Sequence, residues 1–410
     1  MEHGIFFLIG GLILGFSMAW NLGANDVANA MASAVGARAI TIKQAVLIAG
    51  TLNVIGAVFI GGHVTETIRK GIVSIDKLSA SPDLVMIGCF SALFAASFWV
   101  FLATWAEMPV SSTHSIVGGM LGFGIIAGGP GVVHWGRVFE IVASWVISPF
   151  FSAVLGFIMF TIIRKFILER KDVKRWTKNL GPLFIGFSVF IMSMSFFLKT
   201  PLGKKLKLSG LSCVALSLLL CLISIIIGLL LIKSWLTRRS RMGVEDVFRR
   251  LQIFTSCYVA LSQGANDVAN AVGPLAAIYF IVTTGKIQTQ IPVPTVFLAF
   301  GGVGIAIGIF TFGYKVIRTL GFRITQLTNT RGFSMDTGTA TTVLIASKLG
   351  LPVSTTHAAV GAVIGVGLAR GFEAVNLKIV FKIIIYWLIT LPTVAITCIG
   401  IFKLLTFIFL

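Results

Sequence analysis

The sequence predicts an all-α polytopic membrane protein with about twelve transmembrane segments, arranged as two inverted repeats with broken or re-entrant helices. The first observation is composition, because 56% of the 410 residues are hydrophobic and only 11% are charged. Soluble proteins carry about a quarter charged residues. The second is the continuity of the apolar runs, which last about 20 residues and do not alternate, as spanning helices require. The third is an internal repeat. These observations exclude a soluble globular enzyme, a disordered chain and a fibrous repeat.

Two kinds of apolar segment follow one another along the chain. The continuous ones lie near 5–22, 43–62, 84–105, 138–163, 181–198, 208–233, 251–262, 295–313 and 378–410. The others are apolar but interrupted by Gly, Ser and Thr, at 23–36, 109–128, 264–281, 333–348 and 352–369. The pattern leaves open whether 109–128 and 333–369 cross the membrane or re-enter from one side.

The repeat is carried by two motifs that recur in the same order. NLGANDVANA at 21–30 returns as SQGANDVANA at 262–271, and PVSSTHSIVGGMLGFG at 109–124 returns as PVSTTHAAVGAVIGVG at 352–367. A duplication with an insertion of about two helices explains this order. The predicted domains are a first repeat over 1–163, connecting helices with basic loops over 164–250, and a second repeat over 251–410.

The charge distribution predicts the orientation. The net charge is +19, yet the basic residues lie in short loops between apolar segments, which argues against nucleic acid as a partner. Loops 164–178 and 233–250 hold seven and six Lys or Arg residues, and such loops stay cytoplasmic. The first half then ends inside and the second begins inside, so the halves are inverted and both termini lie outside. Inverted repeats with interrupted helices indicate a secondary transporter with a midplane site.

The doubled GANDVANA motif places carboxylates and amides inside the membrane. A carboxylate there costs several kcal/mol and by default indicates function, whereas capping of a following half-helix is the structural alternative. Gly23 and Gly264 are expected to let the chain unwind and expose carbonyl oxygens beside each carboxylate. A third acid, in GFSMDTGTATT, has no acidic counterpart in the first half. The predicted cation-site residues are Asp26, Asn29, Asp267, Asn270 and Asp336.

The PVS[ST]TH motif is typical of a helix N-terminus, where free N–H groups and the helix dipole bind anions. Its hydroxyl residues predict two neutral, donor-rich half-sites, formed by Ser111, Ser112, Thr113, Ser354, Thr355 and Thr356. Capping and helix packing are the alternative interpretation. His114 and His357 follow, as proton relays, substrate donors or partners of a neighbouring helix.

The absence of Lys and Arg from both motifs has an electrostatic consequence. Two like charges 4 Å apart repel by about 4 kcal/mol at an effective dielectric constant of 20. An anion cannot share the site with two bare aspartates, so cations must bind them or protons must neutralise them. Cation-coupled anion uptake is the expected activity.

These motifs resemble the PiT (inorganic phosphate transporter, SLC20) family over nearly the whole chain, including GHVTETIRKG near 61–71 and RGFSMDTGTATTVLIASKLGLPVSTTH. The resemblance implies uptake of inorganic phosphate, about twelve spans and a homodimer. It assigns the ion sites to the Asp and Asn residues of the GANDVANA motifs, and brings Asn25 and Asn266 near the phosphate. Asn53 stands where some sodium-coupled relatives have Glu, and Asp336 replaces Glu at another acidic position of the family. The N-D-V-A-N form resembles the sodium-coupled branch.

The sequence therefore predicts a Na⁺-coupled phosphate symporter of a prokaryotic inner membrane, in which one repeat rocks against the other. It is expected to be no enzyme and to hold no prosthetic group, with Na⁺ as the co-transported ion. A proton-coupled porter of phosphate or metal-phosphate and a sulfate porter are the closest alternatives. A channel, and an intramembrane hydrolase using Ser112 with His114, are the alternatives from other classes.

Overall fold

The computed structural model describes residues 3–61, 72–74, 81–199, 208–238, 243–287, 293–348 and 353–410. The GHVTETIRKG segment, Pro352 of the second PVSTTH motif and part of the second basic loop lie outside these residues. Within them the chain is helical and forms no multi-residue strand. The helices are α1 (Gly4–Gly36), α2 (Ile42–Ile60), α3 (Pro82–Trp105), α4 (Ser112–Gly128), α5 (Trp135–Ile163), α6 (Val173–Lys199), α7 (Gly210–Arg238), α8 (Val244–Thr284), α9 (Thr295–Arg318), α10 (Asn329–Lys348), α11 (Thr355–Leu368) and α12 (Leu377–Phe409).

Nine helices in the described part of the chain are long and apolar enough to cross a membrane. They are all the helices except α4, α10 and α11. Helices α4 and α11 are apolar but have only 17 and 14 residues. At about 1.5 Å per residue they are shorter than a hydrocarbon core of about 30 Å. We call them the half-helices, because their length fits re-entrant segments better than spans.

Helices from the first half of the chain pack on helices from the second half. Helix α1 packs on α9 while α8 packs on α2, and α4 packs on α12 while α11 packs on α5. Three groups result: a four-helix bundle of α1, α2, α8 and α9, a three-helix bundle of α3, α4 and α12, and a three-helix bundle of α5, α10 and α11. Helices α6 and α7 pack mainly on each other. Each bundle therefore contains helices from both halves of the chain.

The expected unwinding at the GANDVANA motifs is wrong, because α1 and α8 run unbroken through both copies. Gly23 and Gly264 instead allow close contact between helices. A Cβ atom at Gly23 would collide with the carbonyl of Ile305, and one at Gly264 with the carbonyl of Asn53. The glycines thus bring helix backbones together within the four-helix bundle, and the backbone carbonyls expected as cation ligands stay inside intact helices.

The half-helices begin as the sequence predicts, each behind a serine cap. The Ser111 and Ser354 hydroxyls accept hydrogen bonds of 3.3 Å from the backbone N–H groups of His114 and His357. Each half-helix then lies against a helix that contains an internal proline. Gly361 of α11 faces the Pro149 carbonyl of α5, where a substituted Cβ would collide with it. This contact fixes α11 against a helix from the other half.

Candidate functional site

Asp26 lies where α1 of the four-helix bundle meets both half-helices. Its side chain is buried, with 2% of the residue exposed. Its Oδ2 atom accepts a hydrogen bond of 2.7 Å from the Ser112 hydroxyl at the start of α4. Its Oδ1 atom accepts one of 3.2 Å from the Thr356 hydroxyl at the start of α11. One carboxylate therefore joins the two PVS[ST]TH motifs, as expected for two half-sites that face each other.

Asn29 and Asn270 make equivalent contacts from α1 and α8. The Asn29 amide donates to the Thr356 hydroxyl at 2.9 Å, and the Asn270 amide donates to the Thr113 hydroxyl at 3.2 Å. Each asparagine thus reaches the motif of the opposite half. The Oδ1 atoms of both are buried without a hydrogen-bond partner among the described residues. Each oxygen is a buried acceptor that lacks a hydrogen-bond donor, and a bound cation can take the place of that donor.

Asp267 completes the second set on α8, one turn before Asn270, and only 7% of it is exposed. Each GANDVANA helix thus presents one carboxylate and one amide oxygen, ligands that suit a hard cation. The described residues include no group of three or more His, Cys, Asp or Glu side chains able to hold a metal ion. The donor set fits an ion such as Na⁺ that accepts neutral oxygen ligands.

The hydroxyls of the half-helices divide into three roles. Those of Ser111 and Ser354 cap the helices, and those of Ser112 and Thr356 donate to Asp26. Thr113 and Thr355 are only half-buried. The most accessible donors are therefore Thr113, Thr355 and the free N–H groups of the two first turns, where an anion is stabilised by the helix dipoles.

The two asparagines placed near phosphate by resemblance differ in position. The Asn25 amide donates to Thr104 at 2.9 Å and to the Met108 carbonyl at 3.0 Å, and its oxygen accepts from the Val110 N–H at 3.0 Å. These bonds tie α1 to the extended segment before α4 and engage the side-chain amide of Asn25, and its contact with the anion stays a prediction. Asn266 is half-buried on α8.

Asp336 lies in a separate polar cluster between α8 and α10. Its Oδ2 atom accepts hydrogen bonds from Thr255 at 3.2 Å and Ser256 at 2.8 Å, while its Oδ1 atom is buried without a described partner. Ser33 of α1 lies 3.4 Å from the Ser256 hydroxyl. Because Ser33 follows Asp26 by two turns, this cluster is about 10 Å along α1 from the central carboxylate.

The structure places Trp145 and Trp387, which the two motifs alone did not identify, beside the motif histidines. His114 stacks on Trp145 with ring centroids 3.6 Å apart, and His357 stacks on Trp387 at 3.7 Å. The two imidazoles meet edge to face at 4.5 Å. The signal was present in the sequence, because SWVISP at 144–149 is repeated as YWLITLP at 386–392. Thr104, Thr255 and Ser256 had no comparable signal.

Comparison with known proteins gives a consistent result. Residues 22–398 match the model of the phosphate transporter family. A Thermococcus kodakarensis protein named as a phosphate permease is 49% identical over 394 residues, with 96% of each chain covered. The chloroplastic inorganic phosphate transporter 2-1 of Arabidopsis thaliana is 38% identical, over 97% of this chain and 72% of the other. A solved structure titled as the sodium-dependent phosphate transporter superposes with a TM-score of 0.88 at 46% identity, covering 98% of this chain and 100% of that one.

Proposed function

Because the chain belongs to the phosphate transporter family, we propose that it is a secondary symporter that takes up inorganic phosphate driven by a Na⁺ gradient. The family consists of transporters, so the chain is not an enzyme. Sodium is proposed as the coupling ion because one similar structure carries that title and because the residues present fit it.

The observation that carries the proposal is the convergence of both motifs on Asp26. Ser112 and Thr356 start different half-helices in different halves of the chain, yet both donate to this carboxylate. An anion held by the same first turns lies close to that negative charge. At about 4 Å the repulsion is about 4 kcal/mol at an effective dielectric constant of 20. A cation between them turns this repulsion into attraction, so each substrate is needed for the other to bind.

In this proposal, different residues bind the cations and the phosphate. Asp26 with Asn29, and Asp267 with Asn270, supply oxygen ligands for two cations. Their amide N–H groups hold Thr356 and Thr113 of the opposite motif, so the cation ligands and the anion donors move together. Thr113, Thr355, Asn266 and the first-turn N–H groups face phosphate. In this proposal Asp336 holds a further ion apart from the centre.

The proposal includes two inverted repeats, over 1–163 and 251–410, joined by 164–250. The exchanged packing of α1 on α9 and of α8 on α2 is the pattern that a pseudo-twofold axis generates. Because each bundle holds helices from both repeats, the interface between the four-helix bundle and the two three-helix bundles is the surface along which alternating access is proposed. The protein is placed in a cell inner membrane with its basic loops cytoplasmic, both termini outside, and a homodimer as its assembly.

Uptake of labelled phosphate into proteoliposomes containing the purified protein tests the function. An inward Na⁺ gradient without a pH gradient is expected to drive accumulation above the external concentration, and excess sulfate is expected not to compete. Accumulation driven only by a pH gradient would replace the sodium proposal with a proton-coupled porter of phosphate or metal-phosphate. Competition by sulfate would make the substrate a broader class of tetrahedral oxyanions. Equilibration without any gradient would indicate a channel.

A further inference from the structure

The stack of His114, Trp145, His357 and Trp387, called here the His–Trp tetrad, lies where the two half-helices begin. Resting on the phosphate transport proposed above, we propose that the His–Trp tetrad is a positioning device that holds the two Ser/Thr half-sites at one separation and orientation. Both histidines are almost fully buried, each with 1% exposed. The centroid distances of 3.6, 4.5 and 3.7 Å make a continuous row of four rings.

Two hydrogen bonds cross between the halves within this row. The Trp387 indole N–H donates to the carbonyl of Pro109, the first residue of the first motif, at 3.0 Å. The His357 Nδ1 atom lies 3.2 Å from the Trp145 carbonyl. Each tryptophan therefore stacks on the histidine of its own half and is hydrogen-bonded to the other half. A shift of either motif breaks a bond to a long helix of the opposite half.

The tetrad acts on the site through the first turns of the half-helices. The backbone N–H of each histidine donates to the capping serine, and Ser112 and Thr356 in the same turns donate to Asp26. No lysine or arginine of the described residues hydrogen-bonds to these turns, so long charged side chains do not adjust to the anion. Its binding depends on neutral donors held within about 0.5 Å of the required geometry. Stacked rings with few rotatable bonds provide that rigidity.

The two histidines differ in a way that makes the proposal specific. His357 has a ring nitrogen bonded to Trp145, whereas both ring nitrogens of His114 are buried without a described partner. A buried polar atom without a partner is unfavourable, so the contribution of His114 comes from its ring faces. A phenyl ring at position 114 can replace that contribution, whereas one at position 357 loses the hydrogen bond to the Trp145 carbonyl.

The test compares ring-removing with ring-retaining variants in Na⁺-driven phosphate uptake by proteoliposomes. His114→Ala, His357→Ala and Trp387→Leu are expected to raise the KM for phosphate about tenfold, the scale of one lost aromatic pair, while the maximal rate at saturating phosphate changes little. His114→Phe is expected to restore a low KM, and His357→Phe to restore it only in part. The control is Trp99→Leu, because Trp99 contacts the Tyr386 ring and donates to Thr390 in the same bundle, and neither partner belongs to the tetrad.

Two results would overturn the inference. If the ring-removing variants keep the KM of the wild type, the stack does not position the half-sites. If His114→Phe is as impaired as His114→Ala, a nitrogen of His114 acts on the substrate directly. If an alanine variant fails to fold, the folded His114→Phe and His357→Phe variants still test the proposal. The proposal requires a lower KM for phosphate in His114→Phe than in His357→Phe. A wild-type protein that moves no phosphate under any gradient would instead refute the proposed function.

Discussion

Replacement of Asp26 by asparagine removes one negative charge with little change in shape. The amide oxygen can still accept from Ser112, but an N–H group then faces a Thr356 hydroxyl that had donated to the carboxylate at 3.2 Å. A lost hydrogen bond of this kind costs about 1 kcal/mol. The larger loss is electrostatic, because a cation about 4 Å from the charge loses about 4 kcal/mol at an effective dielectric constant of 20. This corresponds to about a thousandfold weaker Na⁺ binding.

The assay is a Na⁺ titration of phosphate uptake in proteoliposomes. Asp26→Asn and Asp267→Asn are expected to move half-saturation by Na⁺ beyond usable concentrations, so that coupled uptake is abolished. Glu140→Gln is the matched control, because Glu140 lies in an exposed ion pair with Arg137 and its side chain is 48% exposed. Thermal stability in detergent separates loss of ion binding from loss of fold. Near-wild-type uptake by both aspartate variants, with unchanged Na⁺ dependence, would refute the assignment of these carboxylates.

Three further predictions concern the surroundings of the site. Asp336→Leu is expected to lower the steady-state ratio of internal to external phosphate while uptake remains sodium-driven, and an unchanged ratio would exclude a transported ion at this position. The ion pair of Glu107 with Arg323, 2.5 Å apart, joins the turn between α3 and α4 to the helical turn that follows α9. Since both side chains are partly exposed, neutral variants should change uptake by less than about fivefold. The charge-reversed pair should restore the rate, and a rate that stays low would show that the two groups act independently. Gly308→Val is expected to prevent folding, because a Cβ there would collide with the Trp20 carbonyl, whereas Gly136→Ala, with nothing near its missing side chain, should keep the wild-type melting temperature.

The meeting of the two motifs could be predicted from the sequence because the motifs recur. A repeated pair of polar segments inside a membrane protein has few ways to satisfy its hydrogen bonds other than at a shared centre. The sequence did not predict that Ser112 and Thr356, which occupy different positions of the repeated motif, both donate to Asp26. The starts of the half-helices followed from the same segments, since Pro and Ser mark them, whereas the sequence left open whether these segments cross the membrane or re-enter.

The errors arose where one residue type serves two physical purposes. Gly23 and Gly264 were expected to break helices, yet the lack of a side chain also permits two helix backbones to touch. Only the position of Ile305 and Asn53, far along the chain, shows which purpose applies. Asn25 shows a related ambiguity, because its amide could face a ligand or the backbone, and its contact with the anion stays a prediction. Its partners Met108 and Val110 become neighbours only after α3 and α4 have folded against α1.

The repeats are not equivalent at Asp336, and this difference limits what the residue can do. Leu93 stands as many residues before Pro109 as Asp336 stands before Pro352, so the first repeat carries a buried leucine where the second carries an acid. A residue that binds an ion without transporting it changes the rate of uptake. It leaves the accumulation ratio unaltered, because that ratio depends only on the ions transported with phosphate. An ion held by Asp336 and carried with phosphate multiplies the ratio by the Na⁺ gradient, about tenfold for a tenfold gradient. The steady-state ratio, rather than the initial rate, therefore decides whether Asp336 adds an ion to the two expected at Asp26 and Asp267.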